Sequence, residues 1–80
     1  MNKYTTLPSG KTIRNIDQIK FIDSIKEFAD EFASPAKHWV EFDILYNNDE
    51  KVNLSYDVMS TALVDRDFLL QKIHSLKFHL

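Results

Sequence analysis

The chain has no cysteine, one glycine and two prolines among its 80 residues. Without cysteine there is no disulfide staple, no thiolate nucleophile and no cysteine-based zinc site. With one glycine there is no glycine-rich loop to cradle phosphate. Ser9-Gly10-Lys11-Thr12 carries the last residues of such a loop, but Thr5 stands where its first glycine belongs, so the segment reads as an ordinary turn. No window approaches the roughly 20 apolar residues that cross a bilayer, and Met1-Asn2-Lys3-Tyr4 does not begin an apolar leader. The expected location is therefore cytoplasmic, with no membrane partner.

Basic residues are also scarce where they would matter. The formal charge is −2, but residues 1–16 hold Lys3, Lys11 and Arg14 and no acid. From Asp23 to Asp67, eleven acids stand against Lys26, Lys37, Lys51 and Arg66, an excess of seven negative charges. Nucleic-acid binding needs clustered Lys and Arg to release counterions, and this body repels phosphate instead. A Lys/Arg-rich protein surface suits it better.

What the chain does have is aromatic bulk: six Phe, three Tyr and one Trp. An 80-residue domain hides only roughly 60–65% of its extended-chain surface, so its core depends on a few such side chains, each burying about 150–250 Å². Residues 1–80 are expected to form a single domain.

The clearest pattern runs from His38 to Tyr56, where apolar residues alternate on both sides of Asn47-Asn48-Asp49-Glu50. A period of two predicts a β-hairpin. One face carries Val40, Phe42, Ile44, Tyr46, Val52, Leu54 and Tyr56. The other carries Trp39, Glu41, Asp43, Leu45, Lys51, Asn53, Ser55 and Asp57. Opposing Val52, Leu54 and Tyr56 to Tyr46, Ile44 and Phe42 requires an odd loop, Asn48-Asp49-Glu50, with a left-handed residue at Asn48 or Asp49.

Lys3 to Ile13 predicts a shorter hairpin through Leu7-Pro8-Ser9-Gly10-Lys11, with Pro8 opening a type I turn and Gly10 left-handed after it. Its register pairs Leu7 with Lys11, Thr6 with Thr12, Thr5 with Ile13 and Tyr4 with Arg14. Asp17 reads as an N-cap, and Ile16 and Phe21 as a hydrophobic staple. The spacing of Phe21, Ile22, Ile25, Phe28, Ala29 and Phe32 predicts a helix ending near Ala33, before Ser34-Pro35. A second helix is expected from Asp65 to about Lys77, with Val64 and Leu69 as staple, preceded by a helical turn over residues 60–63. Its buried stripe is Leu69, Leu70, Ile73 and Leu76, extending to Leu80. The expectation is an α+β, two-layer domain of order ββαββα, its antiparallel hairpins covered on one face by two amphipathic helices.

No catalytic or metal constellation emerges. Asp43 with Asp49-Glu50-Lys51 imitates the spacing of nuclease magnesium ligands, but metal chemistry needs a sheltered, convergent set, and half of this one lies on a hairpin tip. His74 and His79 are five residues apart rather than the four of a helical zinc motif, and His38 has no companion. No enzyme activity, metal or cofactor is expected.

The remaining candidates form a docking surface. On a helix, Asp23, Glu27, Asp30 and Glu31 gather along one side. With Glu41, Asp43 and Asp57 they make an acidic field around Trp39 and Leu45, an aromatic anchor among charges that steer a basic partner. In size, acidity and lack of catalytic groups the chain resembles, at the level of class alone, phage and mobile-element inhibitors such as anti-CRISPR and anti-restriction proteins, and toxin-immunity proteins. That resemblance implies a non-enzymatic protein that binds and inhibits, or adapts, a larger nucleic-acid-processing protein. The alternative is a nucleic-acid contact module using Lys3, Tyr4, Lys11 and Arg14 of the first hairpin. A homodimer through a sheet edge or Trp39 is compatible with either.

Overall fold

The computed structural model describes residues 3–78, which form six strands and one helix. The elements are β1 (Tyr4–Thr6), β2 (Thr12–Arg14), a 3-10 turn (Ile16–Gln18), β3 (Ile19–Ile22), β4 (Lys26–Asp30), β5 (Lys37–Tyr46), β6 (Lys51–Tyr56) and α1 (Met59–Phe78). The molecule is α+β with antiparallel sheets, but its order is not ββαββα. The expected first helix is absent, and its sequence forms β3 and β4.

The ten-residue β5 is the reason. Its backbone groups project from both edges, and β6 covers only one of them, through Val40↔Tyr56, Phe42↔Leu54 and Ile44↔Val52. The other edge takes β4 along Lys37–Glu41 and β3 along Ile44–Tyr46, placed end to end. Register shifts bend the alternation here: Ile19 and Ile22 are both buried, while Lys20 and Phe21 between them are exposed. A bulged strand thereby imitates helical spacing. Ile16, Ile19, Ile22 and Ile25 are β-branched and fit a pleated surface well. Asp17 caps nothing. It lies within the 3-10 turn, which Asn15 enters in the left-handed conformation at φ 49°.

Both hairpins form as alternation demands. β1 and β2 take the expected register, and Gly10 has φ +100°. The central hairpin keeps its two faces but slips by two residues. Val52 opposes Ile44, not Tyr46, and the loop is Asn47-Asn48-Asp49. Asp49, at φ 69°, supplies the left-handed residue, and the Tyr46 amide donates to the Glu50 carbonyl at 2.9 Å. The face assignment survives because a shift of two preserves strand parity.

α1 begins at Met59, so residues 60–63 belong to the helix and Asp65 lies inside it instead of capping it. It packs on β3, β5, β6 and the 3-10 turn. Its buried line is Ala62, Asp65 and Leu69, flanked by Met59, Phe68 and Ile73. Leu70 and Leu76 are exposed, as is Val64 of the supposed staple. Leu80 and His79 lie outside the described residues. The core joins Leu7 and Ile13 of the first hairpin, Ile19 and Ile22 of β3, and the inward face of the central hairpin.

Beyond that core, β4 and the start of β5 continue as an arm. Every residue of β4 is exposed, and Lys37 and His38 of β5 are exposed as well. The molecule measures 51 × 24 × 21 Å with a radius of gyration of 14.1 Å. A compact chain of this length would have a radius of about 12 Å.

Candidate functional site

The arm arises where β4 pairs with β5 from Lys26↔Glu41 to Asp30↔Lys37, with residues 31–36 as its tip. Strand parity puts Lys26, Phe28 and Asp30 on the same outward face as Lys37, Trp39, Glu41 and Asp43. Phe28 opposes Trp39, and their rings stack at 5.6 Å between centroids and 13° between planes. At the tip, Phe32 is 99% exposed. Such apolar surface contributes nothing to the protein's own core.

Around these rings the polar groups are held in place. Trp39 Nε1–H donates to Glu41 Oε2 at 2.6 Å. Asn53 Nδ2 donates to Glu41 Oε1 at 3.0 Å and to Asp43 Oδ1 at 2.9 Å, fixing both carboxylates in one row. Asp30 Oδ1 accepts the Phe32 amide at 3.1 Å, which shapes the tip. Behind the arm, Glu27, Phe28, His38, Trp39, Asp57 and Met59 line a groove of about 400 Å³.

The expected docking residues are thus brought together only in part. Trp39, Glu41, Asp43 and Leu45 share the outward face, with Trp39 and Leu45 half-buried. Asp23, Glu27, Asp30 and Glu31 do not share a face, because no helix carries them. Asp23 lies in the break between β3 and β4, where its carboxylate accepts the Ser24 amide at 2.8 Å and Arg66 Nε donates to its carbonyl. Glu27 points to the opposite side of the arm from Asp30, Glu31 stands in the tip, and Asp57 follows β6 beside the groove. The outward face is also not uniformly acidic: Lys26, Lys37 and Lys51 alternate with Asp30, Glu41 and Asp43. The acidic excess of this half comes from Asp23, Glu27, Glu31 and Asp57, which flank that face.

The alternative basic site is dispersed. Tyr4 and Arg14 oppose each other on one face of the first hairpin, whereas Lys11 turns to the other, where its Nζ lies 4.9 Å from the Tyr56 ring centroid. Arg14 forms an ion pair with Glu50. Tyr4 is 66% exposed, and Lys3 is exposed beside it. Two of the three cations therefore have partners inside the molecule.

Phe28 and Phe32 are exposed aromatics that helical spacing conceals, since it assigns them to a buried stripe. The signal was the alternation Lys26-Glu27-Phe28-Ala29-Asp30, in which charge recurs on both sides of a strand. A second hidden cluster lies in the interior. The Asp65 carboxylate, 0% exposed, accepts Tyr56 Oη–H at 2.6 Å, the Ser9 amide at 3.0 Å and the Ser9 hydroxyl. Burial, followed by the hydrogen bond to Asp65 and its charge, holds the Tyr56 pKa well above the ordinary tyrosine value, against a smaller lowering from Ser9. Tyr46 is raised as well, by burial, with Arg14 opposing.

No family model, curated protein or solved structure matches this chain. Among the described residues, no group of three or more His, Asp or Glu side chains could hold a metal ion. Among the same residues, no helix is long and apolar enough to cross a membrane.

Proposed function

We propose that this protein binds a larger protein through its arm, and inhibits or adapts that partner without chemistry of its own. The observation that carries this reading is the arm itself: Phe32 at 99% and Phe28 at 39% exposure, with Trp39 stacked on Phe28, in an outgrowth beyond the buried core. Large aromatics on a paired strand are efficient anchors, because a backbone already hydrogen-bonded before docking loses less entropy than a free segment. The seven acids in this half, against Lys26, Lys37 and Lys51, favour a Lys/Arg-rich surface and faster encounter at low salt. A basic nucleic-acid channel has that character. The resemblance to small acidic inhibitors of phage and mobile elements points the same way.

The test is calorimetry with the partner isolated by affinity purification from the native cell. Replacing Phe32 and Trp39 together by Ala should weaken binding by about 30-fold or more, the scale of a lost hot spot. Adding Glu27→Lys and Asp57→Lys should remove the salt dependence, while circular dichroism shows the fold intact. Undiminished affinity in the aromatic double variant would refute the arm as the docking element. Tight low-salt binding of labelled DNA or RNA, lost on changing Lys3 and Tyr4, would favour the contact-module reading instead.

A further inference from the structure

The outer edge of β4 is a strand edge left unpaired within the fold. β4 ends the strand order, and no backbone hydrogen bond joins its outer side to any other described residue. Which of its groups point outward follows from the alternation along β5. The Tyr46 amide reaches β6, donating to the Glu50 carbonyl, so the even residues of β5 face β6. The Asp43 carbonyl accepts the Asp23 amide on the other side, so the odd residues face β3 and β4. Lys26, Phe28 and Asp30, which oppose Glu41, Trp39 and Lys37, therefore spend their backbone groups on β5. The N–H and C=O groups of Glu27 and Ala29 are left facing solvent.

We infer that two copies of this chain associate through antiparallel β4–β4 pairing about a two-fold axis at Phe28. This association requires no other partner, so it stands apart from the docking proposed above. In this register Glu27 and Ala29 of one copy exchange backbone hydrogen bonds with Ala29 and Glu27 of the other. Phe28 meets Phe28 in a non-hydrogen-bonded pair, the kind in which side chains approach most closely. Lys26 then faces the second copy's Asp30, and Asp30 faces the second copy's Lys26. Asp30 already gives one oxygen to the Phe32 amide and has the other to offer.

The rows that result extend across both sheets. One reads Glu41, Lys26, then the second copy's Asp30 and Lys37, with the sign alternating at each strand. The central row is Trp39, Phe28, Phe28, Trp39, continuing a stack already present within each chain. Neighbouring registers lack this complementarity. An axis at Glu27 sets Glu27 against itself, and one at Ala29 sets Glu27 against Glu31, and like charges directly opposed are unfavourable. The break at residues 23–25 and the turn at Glu31 limit the pairing to five residues a side. Standard interfaces use about 20–30 residues a side, so the dimer is concentration-dependent and not obligate.

Sedimentation velocity on the full chain over a rising concentration series tests this. The unmodified protein should move from one chain to two. Lys26→Asp alone and Asp30→Lys alone each oppose like charges twice in the dimer and should weaken association by about tenfold or more. Mixing those two variants makes both pairs complementary again and should restore a dimer. Ala29→Pro removes an outward N–H while sparing the β5 ladder, and should leave a folded monomer by circular dichroism. A monomer at every concentration overturns the inference. So does a dimer that the charge reversals leave unchanged, or a mixture that regains nothing.

Discussion

Asp65 shows what one side chain does in a small protein. It is a fully enclosed carboxylate whose donors come from the first hairpin's turn at Ser9 and from β6 at Tyr56, so it ties both to α1. A buried charge is tolerable only with such donors, and the cost of removing it falls on the partners left behind. Asp65→Ala should therefore cost about 2–3 kcal/mol, read from the urea midpoint, since the Tyr56 hydroxyl and Ser9 amide lose their acceptor. Tyr56 gives a second, pH-linked prediction. Its folded pKa is raised by burial first and by Asp65 next, so above about pH 10 the unfolded chain releases the phenol proton while the folded chain keeps it. The unfolded state then binds fewer protons, and stability falls as pH rises. Urea melts between neutral and strongly alkaline pH should show that decline, less steeply in Tyr56→Phe, with Tyr46 contributing the remainder.

At the scale of elements, the two hairpin turns solve the same problem with different residues. Gly10 at φ +100° and Asp49 at φ 69° both close three-residue loops, but only glycine enters that region without strain. Asp49→Gly should stabilise the protein by about 0.5–1 kcal/mol, and Gly10→Ala should destabilise it by about 1–2 kcal/mol, both checked by denaturant unfolding. These hairpins were legible because alternation and turn chemistry are local. The register of the second was legible only to within two residues, since Tyr46 and Ile44 serve equally well on the inner face and the loop decides between them. The segment 17–33 was misread for a different reason. Its apolar spacing of three and four belongs to a helix or to a strand interrupted by bulges, and the deciding term, the uncovered edge of β5, belongs to a later strand outside the segment.

For the molecule as a whole, the main feature is its asymmetry: a packed body beneath α1 and an arm that the helix does not cover. The arm has little buried apolar area to hold it, so it should open locally at a lower free energy than the body. Hydrogen exchange should show the β4–β5 amides of Lys26, Phe28 and Asp30 exchanging well before those of Phe42 and Ile44. Equal rates in both sets would mean that the arm is held as firmly as the core. The candidate docking surface was half visible in the sequence. Trp39, Glu41, Asp43 and Leu45 share a face by parity alone, whereas Asp23, Glu27, Asp30 and Glu31 scatter because their grouping relied on a helix that does not form.

The sequence by itself settled which residues share each face of the central hairpin, the register and left-handed Gly10 turn of the first hairpin, and the helical character of the C-terminal segment. Those are consequences of residue type and spacing within a few positions. Only tertiary structure decided that residues 19–30 extend along β5, that Asp65 turns inward as a shared acceptor, and that Phe28 and Phe32 stand outside the core. Each depends on which distant backbone groups still need partners, and on where α1 runs out of sheet to cover.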